Sequence, residues 1–269
     1  MIQLGSTKVQ TAIDDFAQRG FAVVEACDRD ALDAVRAAVH ASASATAENE
    51  DAQRFMNGFH ELGLSGSELN DYRLRTYREF NRRVDAGQLI WNAFRDTLTA
   101  LIGPDVCVQR QVNLVIQPPH DTNNSPVHRD APPNSVFEIV AWVPLVDCYG
   151  TKGMQVLDLR QTEHALTLLD GSAGDYDALC RFALEHGAFA EVAYGSALLF
   201  WTPLFHAIPI NAETETRWSL NLRYKSPFTP YGAKGFPDYF RILELSPLSR
   251  AAIESERRTR LGAASGPAR

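Results

Sequence analysis

The sequence predicts a mainly β protein with flanking helices, in which the strands form an antiparallel sandwich or barrel. Two observations lead to this fold class. Before about residue 105 the apolar residues recur at helical spacing, whereas after it they form short runs rich in β-branched residues and bounded by turn residues. These runs do not alternate with helices in the regular order of a parallel sheet, which favours antiparallel pairing.

The N-terminal part begins with a helix, a strand and a second helix. The first helix is predicted in "VQTAIDDFAQRG", where Ile13 and Phe16 share a face and Gly20 provides a stop. The run "FAVVE" that follows predicts a short strand. The second helix is predicted in "DRDALDAVRAAVHASASA", with Asp28 or Asp30 as its N-cap.

The remainder of the N-terminal part is less regular. Residues 41–75 are polar and show no clear period, which predicts a loop-rich segment. The pattern of "GQLIWNAFRDTLTALIG" then predicts one continuous helix that ends at Gly103-Pro104. Residues 1–105 are therefore expected to form mostly helical support for the strands.

The predicted strands lie between residues 106 and 226, which we take as the core of the fold. They are expected in "VCVQRQVNLVIQ", "SVFEIVAWVPLVD", "GMQVLDL", "GSALLFWTPLFHAIPI" and "TRWSLNLRYKS". One short helix, "DYDALCRFALEHG", interrupts them. The tail from about residue 239 has a helical pattern, so residues 227–269 are predicted to be a C-terminal helical extension of a single domain that spans 1–269.

Composition excludes several classes of function. The net charge of −7 disfavours a nucleic-acid partner, which requires a basic face. No segment approaches the roughly 20 apolar residues of a membrane span, and the N-terminus lacks the pattern of a secretory signal. Four widely spaced cysteines give neither a zinc nor a disulfide framework, so we expect a cytoplasmic protein.

A candidate metal site lies in "SPVHRDAPPNS". His128 and Asp130 are two residues apart, so in an extended segment their side chains project to the same side. His206, at the end of an apolar run, is a candidate third ligand. Two imidazoles and one carboxylate form the facial triad typical of non-haem iron sites. The alternatives are a solvated loop pair for His128 and Asp130 and a hydrogen-bonded core histidine for His206.

A second candidate binding element follows eleven residues after His206, in "RWSLNLRY". Arg217 and Ser219 lie on the polar face of this predicted strand, together with Asn221 and Arg223. A guanidinium and a hydroxyl two residues apart can bind a carboxylate through parallel charge-assisted hydrogen bonds. The alternative is an amphipathic strand whose polar face meets water.

The order and spacing of these elements resemble a known family. H-x-D, a distal histidine and R-x-S are similar to the motifs of Fe(II)- and 2-oxoglutarate-dependent oxygenases of the phytanoyl-CoA dioxygenase type. The text "NLVIQPPHDTNNSPVHRDAPPNSVFEIVAWVPLVDCYGTKGMQVL" with "ETRWSLNLRYKS" resembles most a branch found in bacterial carbohydrate-biosynthesis clusters. The resemblance covers residues 105–226 and implies a double-stranded β-helix, which is a jelly-roll or cupin-like barrel.

The resemblance also implies roles for particular residues. The metal-binding and catalytic residues would be His128, Asp130 and His206. The residues that bind 2-oxoglutarate would be Arg217, Ser219, Asn113 and Gln111. The implied reaction uses Fe(II), 2-oxoglutarate and O₂, releases succinate and CO₂, and hydroxylates a substrate C–H bond. Related halogenases lack the carboxylate ligand, so the presence of Asp130 favours hydroxylation or another oxidation.

Two other functions are consistent with the same fold. One is a cupin-type metal-dependent isomerase or epimerase, and the other is a non-catalytic carbohydrate-binding jelly roll. The resemblance implies a small-molecule or carbohydrate-related substrate, such as a sugar or nucleotide sugar, and it leaves open whether the protein is a homo-oligomer.

Overall fold

The computed structural model describes residues 7–171 and 175–264 as a mixed α and β fold built on two antiparallel sheets. The predicted fold class is therefore confirmed. In chain order the strands are β1 (Phe21–Glu25), β2 (Val106–Gln109), β3 (Asn113–Gln117), β4 (Ser125–His128), β5 (Glu138–Pro144), β6 (Met154–Val156), β7 (Ala188–Ala190), β8 (Ser196–Trp201), β9 (His206–Ile208), β10 (Arg217–Lys225) and β11 (Phe240–Glu244).

Helices precede, interrupt and follow these strands. They are α1 (Thr7–Arg19), α2 (Arg29–Ala43), α3 (Ala52–Gly58), α4 (Gly66–Arg83), α5 (Ala86–Ala93), α6 (Arg95–Ile102), α7 (Leu159–Gly171), α8 (Tyr176–His186) and α9 (Pro247–Ala264). Within the described ranges, none of them is both long enough and apolar enough to cross a membrane.

The two sheets differ in size. The larger has the order β1-β8-β5-β10-β2-β11, with β3 also paired to β10. The smaller has the order β4-β9-β6-β7. Apolar residues of α2, α4, α5 and α6 pack on the outer face of the larger sheet. A second apolar cluster joins the facing sides of the two sheets over part of their area, and a third joins the smaller sheet to α7 and α8.

The first elements agree with the sequence prediction. Helix α1 ends before Gly20, whose φ of +80° suits glycine, and β1 follows directly. Asp28 caps α2 by accepting a 3.0 Å hydrogen bond from the backbone N–H of Ala31. The loop-rich prediction for residues 41–75 is wrong, because that stretch contains α3 and the first part of α4. Helix α4 is mostly polar and buries only a narrow stripe, Leu69, Thr76 and Phe80.

The single helix predicted at the end of the N-terminal part is also wrong. The chain leaves helical geometry at Phe94, with φ −124° and ψ 20°, and this residue separates α5 from α6. The break exposes the carbonyl of Ala93, which accepts a 2.8 Å hydrogen bond from the backbone N–H of Cys27 just after β1. A contact from a distant part of the chain therefore replaces a helical hydrogen bond.

The long strand predicted in "VCVQRQVNLVIQ" is two strands. Val108 of β2 pairs with Tyr224, and Asn113 of β3 pairs with Asn221. The chain therefore advances five residues from β2 to β3 while β10 advances three. The two extra residues form a bulge between β2 and β3. The side chain of Asn81 on α4 bonds both backbone groups of Val112 there, at 2.8 and 3.0 Å, in place of sheet partners.

The C-terminal prediction needs one correction. Residues 227–269 were expected to be helical, but β11 lies within them and extends the larger sheet next to β2. The period of "FRILE" is too short to distinguish a strand from a helical turn, so pairing with β2 decides its conformation. Strand β1 lies at the other edge, so the larger sheet includes strands from both sides of the 106–226 segment.

Candidate metal centre

The three predicted metal ligands lie together at one end of the smaller sheet. Strands β4 and β9 are neighbours, and His128 is paired directly with His206 across them. The centroids of the two imidazole rings are 4.3 Å apart. Asp130 follows β4 by two residues, and the ligand atoms of all three side chains lie within 4.8 Å of one another. Residues 78 positions apart in the sequence thus form one cluster.

Hydrogen bonds prepare both histidines for metal binding. The Nδ1 of His128 lies 2.7 Å from the carbonyl oxygen of Pro126, and the Nδ1 of His206 lies 3.0 Å from that of Leu204. A carbonyl only accepts, so each Nδ1 carries a proton and Nε2 is the nitrogen that can bind a metal. Burial lowers the pKa of His206 to about 4, and the neighbouring His128 adds to the shift, which keeps this ring neutral at pH 7.

The carboxylate of Asp130 is held through one of its two oxygens. Its Oδ2 accepts a 2.5 Å hydrogen bond from Nη2 of Arg223, and the pair is mostly buried. In the described part of the chain Oδ1 has no hydrogen-bond partner. The backbone N–H of Asp130 donates to the carbonyl of Thr202 at 3.1 Å, which fixes the chain at this ligand.

Strand β10 presents a polar face to the space between the sheets. As the sequence predicts, Trp218, Leu220, Leu222 and Tyr224 face the helices, where they belong to the outer apolar core. The alternate residues therefore point inward, and all of them are buried or half-buried: Arg217, Ser219, Asn221, Arg223 and Lys225. The polar face does not lie on the surface of the protein.

Arg217 is fully buried and incompletely paired. Among the described residues only its Nη1 has partners, the carbonyl oxygens of Lys152 and Gly153 at 3.4 and 3.5 Å. Within residues 7–171 and 175–264 its Nε and Nη2 have no hydrogen-bond partner, and neither has the hydroxyl of Ser219 two residues away. Burial lowers the pKa of Arg217 to about 10, so the guanidinium is still charged at pH 7. Leaving such donors without acceptors is costly, and an anionic ligand would satisfy them.

Two further unpaired polar groups lie on the same inner wall. Trp142 of β5 is directly opposite Asn221 in the sheet. The indole N–H of Trp142 and the side-chain oxygen of Asn221 are both buried and have no hydrogen-bond partner in the part of the chain that the structure describes. A buried tryptophan N–H normally finds an acceptor, which makes this pair unusual for a packed core. The unpaired groups thus continue along the wall from Arg217 and Ser219.

The two remaining predicted residues lie in different surroundings. Asn113 is paired with Asn221, so its side chain belongs to the inner face, where it is exposed at the open edge. Gln111 lies in the bulge, is exposed, and accepts a 2.6 Å hydrogen bond from the hydroxyl of Tyr77 on α4. The structure therefore brings Asn113 to the wall that carries Arg217 and Ser219, and it holds Gln111 against a helix.

Arg223 and Trp142 are not predicted as site residues from the sequence, although the structure brings both to this site. The position of Arg223 was visible in the alternation of "RWSLNLRY", since it shares a face with Arg217. Its partner Asp130 was not predictable, because 93 residues separate them. Trp142 lies in an apolar run that looks like ordinary core sequence, and only its unpaired N–H distinguishes it.

Comparison with known proteins gives matches at the level of structure. No family model matches the chain, and no curated protein matches it by sequence. The chain is similar to a non-haem monooxygenase, ThoJ, solved as a nickel complex: 17% identity, 93% of this chain, 98% of that chain and TM-score 0.54. It is similar to the non-haem α-ketoglutarate-dependent carbocyclase SnoK from nogalamycin biosynthesis: 15% identity, 90% and 98% coverage, TM-score 0.55.

A third similar structure is EctD from S. alaskensis in its apo form, at 16% identity, with 90% of this chain and 84% of that chain covered and a TM-score of 0.55. The fold is the one these proteins share. It is a jelly-roll or cupin-like barrel, and nearly the whole length of each chain takes part in the match. Structural similarity at identities this low establishes the architecture alone. The reaction has to be inferred from the residues of the site.

Proposed function

We propose that this protein is a non-haem Fe(II)- and 2-oxoglutarate-dependent dioxygenase that hydroxylates a small molecule and releases succinate and CO₂. The observation that carries the proposal is the buried guanidinium of Arg217, whose Nε and Nη2 have no partner among the described residues, on the inner wall of a barrel that also holds a His-Asp-His cluster. A cation buried without a counter-ion is strongly disfavoured unless a ligand supplies the negative charge. A dicarboxylate co-substrate would do so.

The cluster fits Fe(II). Two neutral imidazole nitrogens and one carboxylate oxygen are the donor set of the facial triad, which leaves open coordination positions. His128, Asp130 and His206 would hold the metal, with both Nε2 atoms available because the Nδ1 atoms bond backbone carbonyls. The two histidines already lie side by side and are held by backbone carbonyls, so metal binding would require little reorganisation.

The inner wall fits 2-oxoglutarate. Arg217 and Ser219 would bind its distal carboxylate, since a guanidinium edge and a hydroxyl are both unsatisfied there. The indole N–H of Trp142 and the side chain of Asn221 would contact the part of the co-substrate nearer the metal. Asn113 is proposed as a further contact at the open edge. Gln111 is proposed as a contact as well, but to reach the co-substrate it would first have to give up its hydrogen bond with Tyr77.

With Fe(II) and 2-oxoglutarate bound, the site would supply the oxidative decarboxylation in which one oxygen atom of O₂ enters succinate and the other enters the substrate C–H bond. The protein itself would orient the metal ligands and the co-substrate, and it would exclude water from them. The histidines are fixed by backbone carbonyls, and Asp130 is fixed by Arg223. Buried residues on both sheets keep the co-substrate carboxylate away from bulk solvent, where its ion pair with Arg217 would be weaker.

The two alternative functions account less well for the inner wall. A cupin-type isomerase or epimerase needs the metal ligands but has no use for a buried guanidinium with free donors. A carbohydrate-binding jelly roll needs neither an intact His-Asp-His cluster nor a carboxylate clamp. Because SnoK is described as a carbocyclase, the same architecture is compatible with oxidative outcomes other than hydroxylation. Asp130 supports hydroxylation over halogenation here.

We also propose a subfamily and a substrate class for this protein. The motif spacing supports the phytanoyl-CoA dioxygenase-like type and the branch found in bacterial carbohydrate-biosynthesis clusters. A carbohydrate-related substrate, such as a sugar or nucleotide sugar, follows from that resemblance, whereas the proposed cytoplasmic location rests on the widely spaced cysteines. A library of such compounds, screened for substrate-dependent succinate release, tests the substrate class directly.

The proposed function is tested by anaerobic titration of the protein with Fe(II) and 2-oxoglutarate. We expect a weak visible charge-transfer band from the chelate in the wild type and none in His206→Ala. Arg217→Ala should need far more 2-oxoglutarate, since truncating one side of a buried charge pair costs roughly 2–5 kcal/mol. Arg241→Ala, which removes an arginine from the outer strand β11, is the matched control and should titrate like the wild type. A folded wild type that binds metal without giving the band would favour the cupin-type function.

A further inference from the structure

We propose that Arg223 is a positioning residue that makes Asp130 a single-oxygen metal ligand, and that Tyr239 of a C-terminal strap supports it. The strap is defined as residues 226–239, between β10 and β11. The inference rests on the metal site of the proposed function and concerns how the chain prepares the carboxylate.

Arg223 is anchored from three elements. Its own backbone belongs to β10, and only 5% of the residue is exposed. Nη2 donates to Oδ2 of Asp130 at 2.5 Å, while Nη1 donates to Oε1 of Gln109 on β2 at 3.2 Å and to the hydroxyl of Tyr239 at 3.0 Å. These bonds fix the guanidinium plane, so its direction toward Asp130 does not depend on one contact.

The strap also packs against the segment that directly follows the ligand pair. The carbonyl of Pro230 accepts 2.6 Å hydrogen bonds from the hydroxyl of Ser135 and from the ammonium of Lys225. Gly232 lies so close to this segment that an added Cβ would be 2.8 Å from the backbone of Asn134. The strap therefore contacts both Arg223 and residues a few positions beyond Asp130.

The hydrogen bond from Arg223 affects how Asp130 can bind a metal. A carboxylate with two free oxygens can bind a metal through one or both of them. With Oδ2 in a charge-assisted hydrogen bond, Oδ1 is the oxygen that remains for the metal. Single-oxygen binding occupies one coordination position and leaves more positions for exchangeable ligands. Arg223 also balances the negative charge of Asp130 before any metal arrives, so the empty cluster stays compatible with burial.

The test measures Mn(II) binding to the full-length protein by electron paramagnetic resonance of the free ion, together with thermal unfolding of the metal-free protein. Arg223→Gln should weaken Mn(II) binding by about 10- to 100-fold, the usual effect of removing a residue that orients a ligand. Arg223→Lys should recover part of that loss, because the ammonium can still donate to Oδ2.

Tyr239→Phe tests the strap with a smaller change. It removes only the hydroxyl that accepts from Arg223, and this loss reaches the metal only through Arg223 and Asp130, so we expect about a 2- to 10-fold loss of Mn(II) affinity. Tyr231→Phe is the matched control. It lies in the same strap, and its hydroxyl is near Cys107 and the Pro227 carbonyl rather than Arg223. It should bind Mn(II) like the wild type.

The outcomes are distinct. A folded Arg223→Gln protein with wild-type Mn(II) affinity would overturn the inference, and so would an Arg223→Lys protein that binds no better than Arg223→Gln. If Arg223→Gln does not fold, the comparison of the two tyrosine variants decides, and equal affinities refute the proposal. Failure of the wild type itself to bind Mn(II) or Fe(II) would remove the proposed function and this inference together.

Discussion

The two faces of β10 differ in how completely their side chains are satisfied. On the outer face Trp218 is fully buried, donates from its indole N–H to the carbonyl of Met56 at 2.8 Å, and packs edge-on against Phe59. On the inner face its neighbour Arg217 is equally buried but keeps two unpaired donors. Adjacent residues of one strand thus serve different ends: the outer face stabilises the fold, and the inner face is suited to a ligand.

The largest expected effect lies on the outer face. Trp218→Ala should lower the free energy of unfolding by about 3–5 kcal/mol, because it removes a large buried ring and leaves a cavity. Urea denaturation followed by far-ultraviolet circular dichroism measures this. A loss below 1 kcal/mol would mean that the outer face contributes little to stability, and the contrast between the faces would then be lost.

The adjacent inner residue should behave in the opposite way. Arg217→Met should leave the free energy of unfolding of the ligand-free protein unchanged or raised, because it removes an unpaired buried charge. The same variant should bind 2-oxoglutarate more weakly by roughly 2–5 kcal/mol. Denaturation and isothermal titration calorimetry in the presence of Mn(II) give the two values. A variant that is strongly destabilised yet binds normally would assign Arg217 to the fold.

Ligand binding should stabilise the protein only when the inner face is intact. At 2-oxoglutarate concentrations about 100 times Kd, linkage adds about 2.7 kcal/mol to the free energy of unfolding of the wild type. Thermal unfolding with Mn(II) and increasing 2-oxoglutarate should show a rising Tm. Arg217→Met should show at most about a third of that stabilisation over the same concentrations. An equal rise in both proteins would place the co-substrate away from β10.

The smallest effect is expected at Ser219. Ser219→Ala removes one hydroxyl donor to the carboxylate, so 2-oxoglutarate should bind more weakly by about 1.5 kcal/mol, the lower end for a hydrogen bond to a charged group. The stability of the ligand-free protein should not fall, because the hydroxyl has no partner to lose. Calorimetry beside the Arg217→Met titration checks this, and unchanged affinity would restrict the clamp to the guanidinium.

Local patterns were sufficient to predict much of the fold and the site. The period of two in "RWSLNLRY" correctly separates the faces of β10, and the spacing of His128, Asp130 and His206 selects residues that do lie together. The predictions that failed concern segments whose conformation depends on contacts with distant parts of the chain. The break at Phe94 accompanies a bond to Cys27, and β11 is a strand because β2 lies beside it. The partnership of Arg223 with Asp130 has no local signature at all.

The bulge between β2 and β3 also constrains changes in chain length. Its two extra residues are an even number, so Gln109 before it and Asn113 after it both face the interior. Side chains in a strand alternate, and inserting or deleting one residue here would turn the whole of β3 over, with Asn113 and Gln117 toward the helices and Ile116 toward the polar wall. Viable length variants of this segment should therefore differ by pairs of residues, so the fold constrains the parity of the bulge more tightly than its length.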